Sequence, residues 1–562
     1  MDVNLYPQPK ELTLRQQSSG AVPGRLQAET QLCGKLGPQT YTLQIQEGRI
    51  KLQGGSPAAL FMAGQTLKQL EILYPDQLPS LYIKDWPDVK KRGFMLDISR
   101  GKIPTLETLK HLVDLLALLK FNQLQLYMES PCFKYPAYEK EISDCQGLTP
   151  EDIRQLDTYC RDRFIELIPN QNSFGHLFSW LGRQEFKSLT IPGGWDTLDP
   201  ANPDSLKFLE RLYDSLLPCF RSSYLNVGCD EVPIDDPQKY FDFLMKIYTL
   251  VKARDHKMMF WGDIILNHPE YLEQLPKDLI PLAWGYRKSL EEDCRKLHEL
   301  GFRYYACPGT SSWNTVFGDP ARAAFNMQCA VKGVLNFQGD GVLLTDWGDK
   351  GHSQFPAVSY PAIALFSGLC WNYQVYENWD YSGAVAFLDK VLFQVKNGSL
   401  ASLLLEAGRM FPKRSTSNDS EPFLWLSMAF YEKEAFAYWD QAKAAATQRR
   451  LHEMAEQVRA LELDCYDGEI LKEEFCQGVA LTDLFFDVFQ MRLDRYAAGE
   501  NGTYQYKEPL RALQEKSALL QKEHTRIWEK RNFSQGSDIF WNWCMGRLFE
   551  EIQRNCQAQA EK

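Results

Sequence analysis

From Arg92 to about Thr345, short apolar runs alternate with helical stretches, and this alternation restricts the fold more than any other property of the chain. Eight such runs can be picked out: Gly93 to Ser99, Gln123 to Met128, Phe164 to Pro169, Tyr224 to Gly228, Lys257 to Trp261, Leu279 to Trp284, Arg303 to Cys307 and Gly341 to Thr345. Helical patterns at Thr105 to Lys120, Thr149 to Asp162, Asp204 to Pro218 and Pro237 to Arg254 separate the early ones. Eight βα units in about 290 residues predict an α/β fold built on a closed (β/α)8 TIM barrel, for which ~250 residues is typical.

The flanks read differently. Tyr41 to Ile45 and Arg49 to Leu52 alternate in polarity around Gln46-Glu47-Gly48, which predicts a hairpin, and a helix is expected from Pro57 to about Leu73. Residues 1–85 are therefore expected to form a small N-terminal α/β domain, with Tyr74 to Pro87, carrying Pro75, Pro79 and Pro87, as the linker. The barrel is expected over 86–380. Residues 381–562 are expected to form a helical C-terminal domain that packs on the barrel or makes an oligomer contact such as a homodimer, with helices at Glu421 to Ala446, Leu451 to Leu463 and Pro509 to Lys530.

Composition narrows the partner class. A net charge of −11 lacks the basic footprint of a nucleic-acid binder. No run approaches the roughly 20 apolar residues of a membrane span, and Met1 to Lys10 has no apolar signal-peptide core. The 14 Cys are scattered without a C-x-x-C pair, which points to reduced thiols, a cytoplasmic location and no zinc site, although a trimmed exported chain would begin the same way.

A barrel carries its chemistry at the C-terminal ends of its strands. Those ends bring Asp97 and Arg100, Glu129, Asn172 to His176, Asp230 and Glu231, Trp261 and Asp263, Trp284 and Tyr286, Trp313, and Trp347 and Asp349 to one rim. Indoles stack on sugar faces, and carboxylates with an Arg hold vicinal hydroxyls, so this inventory suits a sugar pocket. No Gly-rich phosphate loop or metal motif accompanies it, and neither a cofactor nor a metal is expected. Neighbouring residues of a regular strand point to opposite faces, so Asp230 and Glu231 can share a ligand only if the backbone turns there.

In order along the chain, Arg92-Gly93-Phe94-Met95-Leu96-Asp97-Ile98-Ser99-Arg100, Phe174-Gly175-His176, Gly228-Cys229-Asp230-Glu231 and Trp347-Gly348-Asp349 resemble the family 20 glycoside hydrolases, the β-N-acetylhexosaminidases. The resemblance implies removal of a terminal non-reducing N-acetylglucosamine or N-acetylgalactosamine from an oligosaccharide or glycoconjugate. It implies retention assisted by the substrate's own 2-acetamido oxygen, which attacks the anomeric carbon to give an oxazolinium. Glu231 would then be the acid and base, and Asp230 would orient the acetamide N–H. Arg100 and Asp349 would hold ring hydroxyls, His176 would be oriented by Glu129, and Trp261, Trp284 and Trp347 would wall the acetamide pocket. Tyr286 or the position of Trp313 would serve the acetamide oxygen. The chain departs from the family pattern at Asn226, Cys229 and Glu129. Two other readings stay open: a retaining glycosidase with a carboxylate nucleophile such as Asp263 or Asp349, and a catalytically silent sugar-binding barrel.

Overall fold

The computed structural model describes residues 3–15, 19–24, 27–234, 236–287, 289–378, 380–411, 439–498, 507–542 and 546. Five strands come first: β1 (Glu11–Leu14), β2 (Glu29–Leu32), β3 (Tyr41–Gln46), β4 (Arg49–Gly54) and β5 (Leu81–Asp85). They form one sheet in the order β1-β5-β3-β4-β2. The expected hairpin is β3 and β4, closed by Glu47 and Gly48, both at positive φ, the conformation that a two-residue hairpin requires. The helix Pro57–Leu73, capped by Ser56, packs across the sheet.

The expected linker needs correcting. Leu81–Asp85 is β5, paired with both β1 and β3. The prolines at 75, 79 and 87 lie outside its ends, so they bound a strand instead of marking a loop.

Eight further strands close a parallel barrel: β6 (Lys91–Asp97), β7 (Gln123–Met128), β8 (Glu166–Gln171), β9 (Tyr224–Asn226), β10 (Lys257–Trp261), β11 (Ile280–Trp284), β12 (Tyr305–Cys307) and β13 (Gly341–Asp346). Closure comes from β13 against β6, from Gly341 opposite Lys91 to Asp346 opposite Leu96. Each expected run contributes one strand. The third begins later than its apolar pattern, because Phe164 sits in a left-handed turn at φ 56°.

Helices between the strands start where the sequence supplies caps. Thr105, Asn202 and Asp236 accept a first-turn amide, and Thr149 with Asp152 makes a reciprocal capping box. The strands' outer faces join these helices in one extended apolar core. Inside the barrel a second cluster, including Met95, Tyr127, Ile168, Met259, Leu282 and Trp347, fills the lumen toward the rim.

The two flanking regions meet the barrel at different ends. Near the strand starts, Asp85 accepts from Tyr41 Oη (2.6 Å), Trp371 Nε1 (2.8 Å) and Lys120 Nζ (3.3 Å). Arg92, at the beginning of β6, donates to the carbonyls of Lys120, Val89 and Lys90.

Near the strand ends, the C-terminal helices Lys507–Trp528 and Gln535–Trp541 and the turn between them press on the loops. Phe533 N donates to Ile103 O and Thr105 N to Arg531 O, each at 2.9 Å. Gln146 and Gln535 each accept the other's backbone amide through their side-chain oxygens. A helix at Gln441–Arg459 covers the expected Leu451 segment, and most of the expected Glu421 to Ala446 helix lies outside the described residues. Among the described residues no helix is long and apolar enough to cross a membrane.

Candidate active site

The backbone after β9 makes the turn that two neighbouring acids require. Gly228, Cys229 and Glu231 take φ values of 69°, 70° and 48°. A side chain at Gly228 would place Cβ 2.5 Å from Asn172 Cγ, so this position admits only glycine. Cys229 and Glu231 hold a left-handed conformation that L-residues adopt at a cost of about 1–3 kcal/mol each, and such strain concentrates where geometry matters.

Anchors hold the turn from several sides. Asn226 Oδ1 accepts Gly228 N at 3.1 Å while its Nδ2 donates to Gln125 Oε1 at 3.0 Å. Tyr240 Oη donates to Cys229 O, and Asn172 Oδ1 accepts Cys229 N. Asp263 Oδ2 accepts Glu231 N at 3.0 Å. Asn226 is thus built into the turn through its side chain, and position 229 through its backbone.

As a result, Asp230 and Glu231 both line one cavity, together with Arg100, His176, Trp284, Tyr286, Trp313, Trp347 and Asp349, around about 430 Å³ of space open to solvent. Their environments differ sharply. Asp230 is 6% exposed and accepts from Asn172 Nδ2 at 3.0 Å. Burial is the largest influence and works to raise its pKa, but His176, a backbone hydrogen bond and the Arg100 charge together outweigh it, and the net shift is downward. Glu231 stands at the mouth with a side chain 59% exposed. Partial desolvation and the Asp230 charge raise its pKa, against the opposing pull of His176.

His176 Nε2 is 3.5 Å from Asp230 Oδ2 and 3.6 Å from Glu231 Oε2, between the two acids. Burial would favour the neutral ring, but the Asp230 carboxylate outweighs it and raises the pKa to about 9. This corrects the expectation that Glu129 orients His176. Glu129 instead accepts from Arg100 Nη2 at 2.9 Å and Tyr127 Oη at 2.8 Å.

Arg100 is the hub of the remaining charged groups. Its Nη1 also reaches Asp97 (3.0 Å) and Asp349 (3.1 Å), and its guanidinium lies over the Trp347 ring at 5.2 Å. Asp97 Oδ2 accepts Gly348 N as well, joining the loops after the first and last barrel strands.

Three indoles and a phenol form the apolar part. Trp347 Nε1 donates to Tyr286 Oη at 2.5 Å, and Trp284 and Trp313 flank Tyr286 at ring separations of 5.4 and 4.8 Å. Trp261 is the exception among the expected walls: at 1% exposed it packs behind Trp347, 5.7 Å ring to ring, and does not line the cavity.

Sequence reasoning passed over Tyr127 and placed Asn172 on the rim without a role. Asn172 Nδ2 donates to both Asp230 and Tyr127 Oη, and Tyr127 Oη donates to Glu129. Asn172 opens the strand-three motif that ends at His176, so an uncharged amide at a strand end was the available signal.

The geometry offers a proton donor at a solvent-facing mouth, a buried ionised acceptor beside it, a cation between them, and indole walls. Comparison with known proteins bears on what this combination does. Residues 90–240 match the family model described as glycosyl hydrolase family 20, catalytic domain, and residues 3–86 match glycosyl hydrolase family 20, domain 2.

A β-hexosaminidase of Porphyromonas gingivalis is 30% identical over 228 residues, 35% of this chain and 29% of the relative. β-Hexosaminidase subunit A1 of Dictyostelium discoideum is 29% identical over 296 residues, 45% of this chain and 53% of the relative. The chain thus spans between about a third and a half of the length of these curated relatives. Among solved structures, a β-N-acetylhexosaminidase from Bacteroides fragilis superposes with a TM-score of 0.59 at 18% identity over 69% of this chain and 96% of that chain. A Flavobacterium johnsoniae chitobiase gives 0.58 at 15% identity over 96% and 99%. At these identities the structural likeness is one of fold.

Proposed function

From the premise that this chain belongs to glycosyl hydrolase family 20, we propose that it is an exo-acting β-N-acetylhexosaminidase that removes a terminal N-acetylglucosamine or N-acetylgalactosamine with retention, assisted by the substrate. The single observation that carries this reading is the left-handed turn at Gly228 to Glu231, which aims both carboxyls into one cavity while keeping one buried and one at the mouth.

In the first step the substrate's acetamide oxygen attacks the anomeric carbon as the glycosidic C–O bond breaks, and Glu231 gives its proton to the departing oxygen. Partial desolvation and the neighbouring Asp230 charge raise its pKa, which favours the protonated form that an acid needs. Asp230, held ionised, accepts from the acetamide N–H and stabilises the positive charge of the oxazolinium as it forms. Asn172 fixes the direction of the Asp230 carboxylate, and the His176 cation keeps it charged. In the second step Glu231, now anionic, takes a proton from water as the water's oxygen opens the oxazolinium from the face the leaving group vacated. No enzyme carboxylate bonds to the sugar.

Arg100 and Asp349 stand where they can hold ring hydroxyls, and Tyr286 Oη lies among the indoles where it can donate to the acetamide oxygen. The alternative of a carboxylate nucleophile is less well supported. Asp263 accepts the Glu231 amide and does not line the cavity, and Asp349 is paired with Arg100.

The test compares aryl β-N-acetylglucosaminide with the matching aryl β-glucoside. The proposal expects turnover of the first and at most trace turnover of the second. Equal rates on both would overturn it.

A further inference from the structure

The loop after β8, which carries His176, also presents two large aromatic side chains to water. Phe178 is 58% exposed and Trp195 65% exposed, with ring centroids 5.5 Å apart at 65°. Leaving such rings in solvent forfeits roughly 1.5–3 kcal/mol of burial per side chain. The local structure has the means to bury an aromatic, because Trp180 on the same short helix is fully enclosed by Tyr135, Tyr138, Phe186 and Phe208. An exposed apolar patch beside a cleft is a recognised sign of a binding surface.

The pair is fixed to the catalytic wall by backbone bonds. Trp195 sits at the tip of a small hairpin in which Ile191 N donates to Thr197 O, with Gly193 at φ 79° making the turn. That hairpin is fastened to the His176 segment on both sides: Leu177 N donates to Asp196 O at 2.7 Å and Leu198 N to Phe174 O at 3.0 Å. Phe178 follows His176 by two residues, and Trp195 directly precedes the carbonyl that holds Leu177. The rings therefore stand on the shoulder next to His176, whose imidazole is 3.6 Å from Glu231.

The direction of the leaving group selects the occupant. The proton donor must face the glycosidic oxygen, and Glu231 is the acid at the mouth, with a side chain 59% exposed beside His176. Whatever is attached to that oxygen leaves past Glu231 and His176. We propose that Phe178 and Trp195 form a platform for the pyranose on the leaving-group side of the scissile bond, stacking on its C–H face and extending recognition beyond the terminal sugar. This rests on the glycosidase reading above. It assigns the platform to an oligosaccharide substrate in preference to a peptide or lipid aglycone, because a two-ring surface with no ion pair on it matches an uncharged sugar face.

The experiment measures kcat and KM for the wild-type protein, Trp195→Ala, Trp195→Phe and Phe178→Ser on two substrates with similarly poor leaving groups. These are methyl β-N-acetylglucosaminide and di-N-acetylchitobiose. Trp195→Ala is expected to lower kcat/KM on the disaccharide about tenfold, chiefly through KM, and to leave the methyl glycoside unchanged. Phe178→Ser should act in the same sense and Trp195→Phe should retain most of the preference.

An equal change on both substrates, or no change on the disaccharide, overturns the platform while leaving the hydrolase reading intact. A wild-type protein that turns over neither substrate overturns both.

Discussion

The N-terminal sheet and the C-terminal helices both lean on the barrel, yet they grip opposite ends of it. The sheet docks where strands begin, through the enclosed Asp85, Lys120, Trp371 and Arg92. The C-terminal segment docks where strands end and touches the loops that carry the site. Gly536 lies so close to Gly101 that a β-carbon would fall 1.8 Å from the Gly101 carbonyl oxygen, one residue from Arg100, and Phe540 lies against Gly351, two residues from Asp349. The lesson is that attachment alone does not predict consequence. A partner at the strand starts contributes stability, and a partner at the strand ends sets loop geometry.

The largest effect that could break this comparison is Asp85→Ala. It leaves the Lys120 ammonium buried without its carboxylate, and a loss of about 3–5 kcal/mol is expected in urea unfolding, with KM for an aryl hexosaminide unchanged. A shift in KM comparable to the stability loss would show that the N-terminal sheet also shapes the site.

Gly536→Ala should do the reverse. The Arg100 loop must move to admit the methyl group, and misplacement of about 1 Å can cost roughly 100-fold in kcat/KM. Full activity in that variant would remove the C-terminal helices from any role in loop placement.

A third prediction concerns the site itself and calibrates the other two. The His176 cation lowers the pKa of both Asp230 and Glu231, so His176→Asn should raise both. The acid limb of kcat/KM, set by ionisation of Asp230, and the alkaline limb, set by loss of the Glu231 proton, should both move to higher pH. The Gly536 variant should lose rate with its limbs in place. Limbs that move in the Gly536 variant would mean that the C-terminal contact alters charge as well as position.

The smallest effect is Gln535→Ala, which removes one side of the reciprocal pair with Gln146. About 1 kcal/mol of stability should be lost, with little change in rate.

Much of this arrangement could be read from residue order alone. Eight apolar runs became eight strands because parallel barrel strands are buried on both faces, which leaves a periodic trace in sequence. The need for a turn at Asp230 followed from strand geometry, and three left-handed residues supply it. What stayed hidden depended on contacts between distant segments. β5 looked like a linker because proline density marks strand ends as readily as loops. The ion-pair partner of Glu129 could not be known, since Arg100 reaches it only once β6 and β7 lie side by side, whereas Tyr127 is its neighbour two residues back along the chain. Trp261 and Trp347 have the same Trp-Gly-Asp context, but only the fold puts one on the cavity and the other behind it.

The run Arg100, Glu129, Tyr127, Asn172 and Asp230 forms an unbroken hydrogen-bonded relay across the mouth of the barrel. Under the proposed chemistry, its two ends hold opposite parts of one sugar: hydroxyls at Arg100 and the acetamide at Asp230. Such a relay makes the ends thermodynamically interdependent, so the losses from substituting Arg100 and Asp230 together should not add. Epimer preference and the acetamide requirement would then be two expressions of one selectivity, and evolution could not adjust either end without retuning the other.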